Sequence, residues 1–288
     1  MTDPKGRLHT ITLEPGRVFH TAKGALAHDD LIGGPEGVVV TSTKATPYLA
    51  QRPLLSDFVL SMPRGATVVY PKDAAMIVGM ADVFPGAVVV EAGAGSGALT
   101  CSLLRAVGDG GQVRSFERRA DFAEIAARNV ETFFGGPHPG WQLTVGDFAV
   151  ATDGGGDADR VVLDMLAPWD CIEPAAAALR PGGVLCVYVA TTTQLSKIVE
   201  HLRVDGRWTE PQASETMVRS WHVEGLSVRP SHRMIGHTGF LVFSRRLADG
   251  TVLPARRTRP AKGAYGDDWD GPKPDAGRAD SGNSSQAR

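Results

Sequence analysis

Cysteine is scarce in this chain. Three are present, Cys101, Cys171 and Cys186, an odd number with no CxxC pair. That pattern argues against a disulfide scaffold or a zinc site and suits a reducing compartment. Long apolar runs are also missing. No uninterrupted stretch of eighteen or more apolar residues occurs, so no membrane-spanning helix is expected. The opening MTDPKGRLHTITLEPG lacks the charged-then-apolar order of a secretory signal. The expectation is a cytoplasmic protein with no membrane partner and no metal. No internal repeat is visible.

What is present is the composition of a folded chain: 288 residues, 42% hydrophobic and 22% charged. The net charge of −2 hides an asymmetry. Between Glu200 and Lys262 there are 11 Lys/Arg against 6 Asp/Glu, a local +5, so the remainder carries −7. A locally basic segment fits a polyanionic partner such as nucleic acid. A solvated charged surface accounts for it equally well, and composition leaves the two open.

The order of elements indicates an α/β fold with a small β-rich domain before it. In residues 1–65 the short extended stretches Leu8–Leu13, Val38–Thr41 and Tyr48–Leu49 are separated by Pro15-Gly16, Gly33-Gly34-Pro35 and Glu36-Gly37 turns. No strong helical period is read before Lys72. From there to residue 247 strands and helices alternate. Lys72–Ala81 is helical, Ala87–Ala92 is a buried parallel strand, and Ala98–Val107 is helical. Then come strand Gln112–Phe116, helix Ala120–Phe134, and strands Trp141–Val145 and Arg160–Met165. Helix Pro174–Leu179, strand Val184–Val189 and helix Leu195–Leu202 complete the alternation. Such an order implies right-handed crossovers and a parallel sheet. Two late strands, Ser214–Val228 and Gly239–Arg245, have no helix between them and should pair antiparallel. Residues 248–288 are poor in apolar side chains and are expected to be a disordered tail.

The central motif runs from Val88 to Leu99, Val-Val-Val-Glu-Ala-Gly-Ala-Gly-Ser-Gly-Ala-Leu. A buried strand gives way to Gly93-x-Gly95-x-Gly97 and then to a helix, whose free N–H groups face a polar or anionic ligand. Glu117 follows 20 residues after Gly97 at the next strand end, placed to accept bonds from ribose hydroxyls. Asp147 ends the third strand, within reach of an adenine amino group, and Asp164 ends the fourth. Each acid alone is as well explained as a helix cap. Three in order beside a glycine loop favour a ligand crevice. A nicotinamide site shares these parts, but the spacing here is GxGxG and not GxGxxG. With Glu91 it reads Glu-x-Gly-x-Gly-x-Gly, which resembles motif I of the S-adenosylmethionine methyltransferases.

Three motifs together make the resemblance specific: YPKDA at Tyr70–Ala74, EAGAGSGALT at Glu91–Thr100 and DMLAPW at Asp164–Trp169. With YVAT at Tyr188–Thr191, they resemble the bacterial and archaeal tRNA (adenine-N1) methyltransferases over most of residues 7–247. That family methylates adenine 58 of the tRNA T-loop. The resemblance implies a Rossmann-like class I sheet, parallel with an antiparallel last strand, and a homotetramer. It implies S-adenosylmethionine held by Gly93, Ala94, Gly95, Ser96, Gly97, Ala98, Leu99, Glu117, Phe122, Asp147 and Asp164. It makes Asp164 the catalytic acidic residue, with Tyr70 and Tyr188 lining the base pocket. The family often places a polar residue where Phe122 stands, so this position offers only a backbone or stacking contact.

The chemistry agrees with these roles. A sulfonium methyl is already activated, and neutral adenine N1 has a free lone pair, so alignment matters more than base strength. Asp164 can accept a bond from the exocyclic amino group as the base becomes cationic. The nucleotide must be turned out of the folded tRNA, and tyrosines suit a stacking pocket. Core packing is the competing account of both tyrosines, and of Tyr188 in particular. Arg219, Arg229, Arg233, Arg245 and Arg246 are candidates for phosphate contact. Arg256, Arg257, Arg259 and Lys262 read as a basic arm or as tail solvation, and His232 and His237 as packing or solvated histidines. Two other readings remain: a same-fold methyltransferase acting on proteins or small molecules, and a non-catalytic RNA-binding subunit. The intact glycine loop and Asp164 argue against the second.

Overall fold

The computed structural model describes residues 1–65, 67–150, 155–254 and 261–273. The chain forms two units, Met1–Met62 and Pro63–Arg288. In the first, β1 (Val18–Thr21) pairs antiparallel with β2 (Gly24–Ala27), and β3 (Val38–Thr41) pairs antiparallel with β4 (Pro47–Ala50). Helix α1 (Leu55–Ser61) closes the unit.

Two expectations for this unit need correction. The stretch Leu8–Leu13 is not a strand. Leu8 makes one isolated bridge to Thr2, and both Leu8 and Leu13 are exposed on the wall of a cleft of about 800 Å³ within this unit. With no neighbouring strand there, apolar alternation has nothing to pair with. A helix does precede Lys72. Helix α1 places Leu55, Phe58, Val59 and Met62 at helical spacing and buries the last three. Asp57 accepts the Leu54 N–H at 3.1 Å, satisfying one donor at the helix start.

The second unit is built on a seven-stranded sheet. Its elements are α2 (Pro71–Met80), β5 (Val88–Ala92), α3 (Ala98–Val107), β6 (Gln112–Glu117), α4 (Ala120–Phe134), β7 (Trp141–Val145), β8 (Ala158–Asp164), α5 (Ile172–Ala178), β9 (Leu179–Val189), α6 (Thr192–Asp205), β10 (Gln212–Glu215), β11 (Trp221–Glu224), β12 (Ser227–Pro230) and β13 (Phe240–Arg245). The strand order is β10-β13-β9-β8-β5-β6-β7. β9, β8, β5, β6 and β7 are mutually parallel, and β13 runs antiparallel to both β9 and β10. This is the Rossmann-like sheet with an antiparallel last strand.

Its middle strands are near-continuous apolar runs. Val89, Val161, Val162, Leu163, Leu185 and Val187 are fully buried, as expected of a sheet covered on both faces. Helix α4 buries Ala123, Ala126, Asn129 and Val130 along one stripe and stops at Gly135, in the left-handed conformation that favours glycine. No helix of the described residues is long and apolar enough to cross a membrane.

The expected single strand Ser214–Val228 is instead the end of β10 followed by a separate hairpin of β11 and β12. The Glu224-Gly225-Leu226 turn reverses the chain, with Gly225 at φ +53°. Residues 261–273, within the expected tail, make contacts with α6. The Tyr265 hydroxyl donates to Glu200 at 3.0 Å, and Lys197 meets Asp270 at 3.3 Å, both on α6. Arg256, Arg257 and Arg259 lie outside the described residues.

Candidate functional site

The glycine loop joins β5 to α3 at the carboxyl edge of the sheet. Gly93 has φ +93°, and a Cβ there would lie 2.0 Å from the Asp164 carbonyl oxygen. Only glycine lets the loop pass this close to the end of β8, so one residue brings the glycine loop and Asp164 together. The N–H groups of Ala98 and Leu99, in the first turn of α3, have no intrahelical acceptor. Asn129, buried in α4, was not foreseen. Its amide donates to the Ser96 and Pro63 carbonyls, both at 2.8 Å, and fixes the loop from behind. A buried amide on the apolar stripe of a helix was the available signal.

Three carboxylates gather at adjacent strand ends. Glu117, buried at the end of β6, accepts the Gly95 N–H at 2.9 Å and the Arg119 N–H at 3.0 Å. It braces the loop and also bonds the residue preceding α4. Glu91, on β5, is 1% exposed. Its Oε2 accepts from Thr100 Oγ1 at 2.7 Å and Ser115 Oγ at 2.6 Å, while Oε1 has no partner among the described residues. Asp164 is half-buried at the end of β8. Burial, reinforced by Glu91 and Glu117, pushes its carboxyl up to about 7. Burial likewise raises Glu91 to about 7, although the Ser115 and Thr100 hydroxyls pull it back. Glu91 was legible only as the first letter of the glycine motif; its missing partner was not.

The remaining candidates divide. Asp147 lies one strand further out, accepts the Ala149 N–H at 2.9 Å, and stands 3.6 Å from Arg118. The Phe122 ring lies against Gly65, with the Arg119 guanidinium 3.8 Å from its centroid. Tyr188 is the register partner of Asp164 on β9, so the two occupy neighbouring strand ends. Tyr188 is buried, donates to the Thr238 carbonyl at 2.8 Å, and lies so close to Gly239 that a Cβ there would meet its ring at 2.4 Å. Burial and then Asp73 hold its hydroxyl well above the ordinary tyrosine range, and Asp164 and Tyr70 add in the same direction. Tyr70, half-buried, is the residue that precedes α2.

Two of the phosphate-contact candidates bond to the protein itself. Arg245 donates twice to the Gly182 carbonyl, and Arg246 donates to the Ala176 and Leu247 carbonyls and pairs with Asp249. Arg245, the last residue of β13, pairs with Val184 on β9, at the other end of β13 from the Leu241–Tyr188 pair. A charge count has no direction, so sequence could not separate these two from Arg219, Arg229 and Arg233. His237 is also more than a solvated histidine: its ring nitrogens bond Glu215 at 2.6 Å and the Ala190 carbonyl at 2.8 Å.

Residues 49–229 match the family model described as the tRNA methyltransferase complex GCD14 subunit, and residues 1–40 match that of the TrmI-like N-terminal domain. The chain is 37% identical to the tRNA (adenine(58)-N(1))-methyltransferase TrmI of Thermus thermophilus, covering 85% of this chain and 95% of that protein. It is 33% identical to the tRNA (adenine(57)-N(1)/adenine(58)-N(1))-methyltransferase TrmI of Methanocaldococcus jannaschii, with 85% and 93% covered. Among solved structures, an S-adenosylmethionine-dependent O-methyltransferase of Thermotoga maritima matches with a TM-score of 0.81 at 27% identity, covering 86% and 91%. The tRNA (m1A58) methyltransferase TrmI of Aquifex aeolicus matches with a TM-score of 0.72 at 27% identity, covering 83% and 92%.

Proposed function

The chain belongs to the tRNA (adenine-58-N1) methyltransferase family, and from that premise we propose that it transfers a methyl group from S-adenosylmethionine to N1 of adenine 58 in the tRNA T-loop. The observation that carries the reading is the joining of Gly93 to Asp164, which sets the cofactor loop against a carboxylate at the end of β8. The O-methyltransferase likeness rests on lower identity and is matched by a TrmI structure at the same identity, so the sequence relatives decide the substrate.

The residues present fit the cofactor. A Cβ on Gly95 would meet nothing nearer than 3.9 Å, so the loop is open on that side. Among the described residues Glu91 Oε1 is a buried carboxyl oxygen without a hydrogen-bond partner, and Glu91, Glu117 and Asp164 together favour a ligand with cationic groups. Gly93 to Leu99, Glu91 and Glu117 would hold it, with Phe122 and Asp147 at the outer side. When bound, it supplies a methyl group activated on a sulfonium.

The chain's own work is alignment and charge. Asp164 accepts from the exocyclic amino group of adenine and stabilises the cation that grows on the ring as N1 is methylated. Tyr70 and Tyr188 confine the base beside Asp164. Because Tyr188 is buried and bonded, it supports the pocket wall from within more than it offers a free stacking face. Arg219, Arg229 and Arg233 are candidate cations for tRNA phosphates. The exposed apolar side chains of the β11–β12 hairpin support assembly into a homotetramer.

The test uses methyl-labelled S-adenosylmethionine and unmodified tRNA, followed by digestion to nucleosides. Label should appear in 1-methyladenosine. Label in another nucleoside, or none in tRNA, contradicts the proposal.

A further inference from the structure

Asp73, in the first turn of α2, is completely buried, and burying a carboxylate is unfavourable unless every lone pair finds a donor. Here both oxygens are satisfied. Oδ1 accepts from Lys72 Nζ at 2.7 Å and Oδ2 from Thr238 Oγ1 at 2.6 Å. Lys72, only 13% exposed, spends its two other protons on the Thr216 carbonyl and Thr238 Oγ1, both at 2.6 Å. Thr238 is engaged at its backbone as well, where the Tyr188 hydroxyl donates to its carbonyl at 2.8 Å.

The partners of this ion pair are far apart in sequence. Thr216 follows the end of β10 and Thr238 precedes β13, so they bracket residues 217–237, which carry the β11–β12 hairpin and Arg219, Arg229 and Arg233. His237 reinforces the closure through Glu215 and the Ala190 carbonyl. A buried ion pair is poor evidence for stability, since apolar replacement is often neutral. What this one supplies is a geometry that joins the YPKDA segment, both ends of the excursion and Tyr188.

We propose that Lys72 and Asp73 are positioning residues of the transfer reaction. With Thr238 they form a buried clasp that ties both ends of the 217–237 excursion to α2 and holds the Tyr188 hydroxyl at the strand end next to Asp164. This rests on the tRNA reading above. The clasp acts on the base pocket and not on the cofactor loop, so its loss should slow transfer without weakening cofactor binding. A small displacement at a reacting centre is enough to cost ~10²-fold in rate.

The experiment compares Thr238→Val, which removes the hydroxyl and keeps the carbonyl, with Thr238→Ser and with the charge-free double variant Lys72→Met/Asp73→Leu. Two readouts are taken: amide exchange across 217–237, and single-turnover methylation of tRNA with calorimetric S-adenosylmethionine affinity alongside. Thr238→Val should exchange faster across the excursion and transfer ~10–10²-fold more slowly. Its cofactor affinity should stay within about twofold of wild type, and Thr238→Ser should restore both readouts. The double variant, if folded, should behave like Thr238→Val. Unchanged exchange overturns the clasp. Faster exchange with an unaltered rate, or a rate loss that follows cofactor affinity, overturns the positioning role. If the wild type fails to methylate tRNA, the functional reading falls while the exchange readout still decides the clasp.

Discussion

Asp164 and Glu91 share one environment and have different tasks. In the proposed reaction Asp164 must be ionised to accept from the adenine amino group, and burial beside two other acids pushes its carboxyl up to about 7. The rate should therefore rise with pH and level off above about 7, measured as kcat/KM. Asp164→Asn keeps the shape without the charge. It should lose ~10²–10³-fold in turnover without any loss of melting temperature, and its pH profile should be flat. A variant of normal rate would rule out the catalytic role. Glu91 carries the stability signature. Its folded value is raised from the ordinary carboxylate range to about 7, so the folded state holds this proton more tightly than the unfolded chain. That contribution is fully present below about pH 4.5 and is lost as pH rises toward 7. Glu91→Gln has no such proton. Between pH 5 and pH 8 the wild type should lose stability relative to it by on the order of 2–3 kcal/mol, read from denaturant melts. Parallel curves for the two proteins would contradict a buried, titrating Glu91.

Among the elements, α6 offers the sharpest test. Its buried Glu200 pairs with Arg203 on the helix and with the Tyr265 hydroxyl from beyond β13. Ending the chain at residue 254 removes that bond and the Lys197–Asp270 pair. Stability should fall by about 1 kcal/mol, a melting shift of roughly 2–4 °C, without unfolding. No shift would mean that the segment contributes nothing, and unfolding would mean that it completes the core. The same region shows what sequence can reveal. Helices α3 and α4 and strand β7 stand where their periodicity and flanking glycines place them, because long patterned runs leave little choice. Helix α1 is too short for its period to stand out. The β11–β12 hairpin hides inside one apparently extended run. In the candidate site, the positions of Gly93 to Leu99, Glu117 and Asp164 at strand and helix ends are legible because each closes a strand or opens a helix. Asn129 and Thr238 are not, because their roles depend on partners remote in sequence.

For the whole molecule, the exposed hairpin bears on assembly. Trp221, Val223, Leu226 and Val228 all stand in solvent, Leu226 fully. An isolated chain rarely leaves such a patch uncovered. Light scattering should give the mass of four chains, and Trp221→Ser with Leu226→Ser should yield smaller species. A wild type that runs as a single chain would contradict the assembly. Part of the basic balance of residues 200–262 is engaged by the protein itself, since Arg203 and Arg207 pair with acids and Arg245 and Arg246 bond carbonyls.

The central claim is that one base of tRNA receives the methyl group at N1, and position mapping tests it most directly. An unmodified transcript and its adenine-58-to-guanine variant are each incubated with enzyme and S-adenosylmethionine, then read by reverse transcription. The account predicts a new stop at position 58 in the first and none in the second, with methyl incorporation abolished in the variant. Undiminished incorporation in the variant would contradict it.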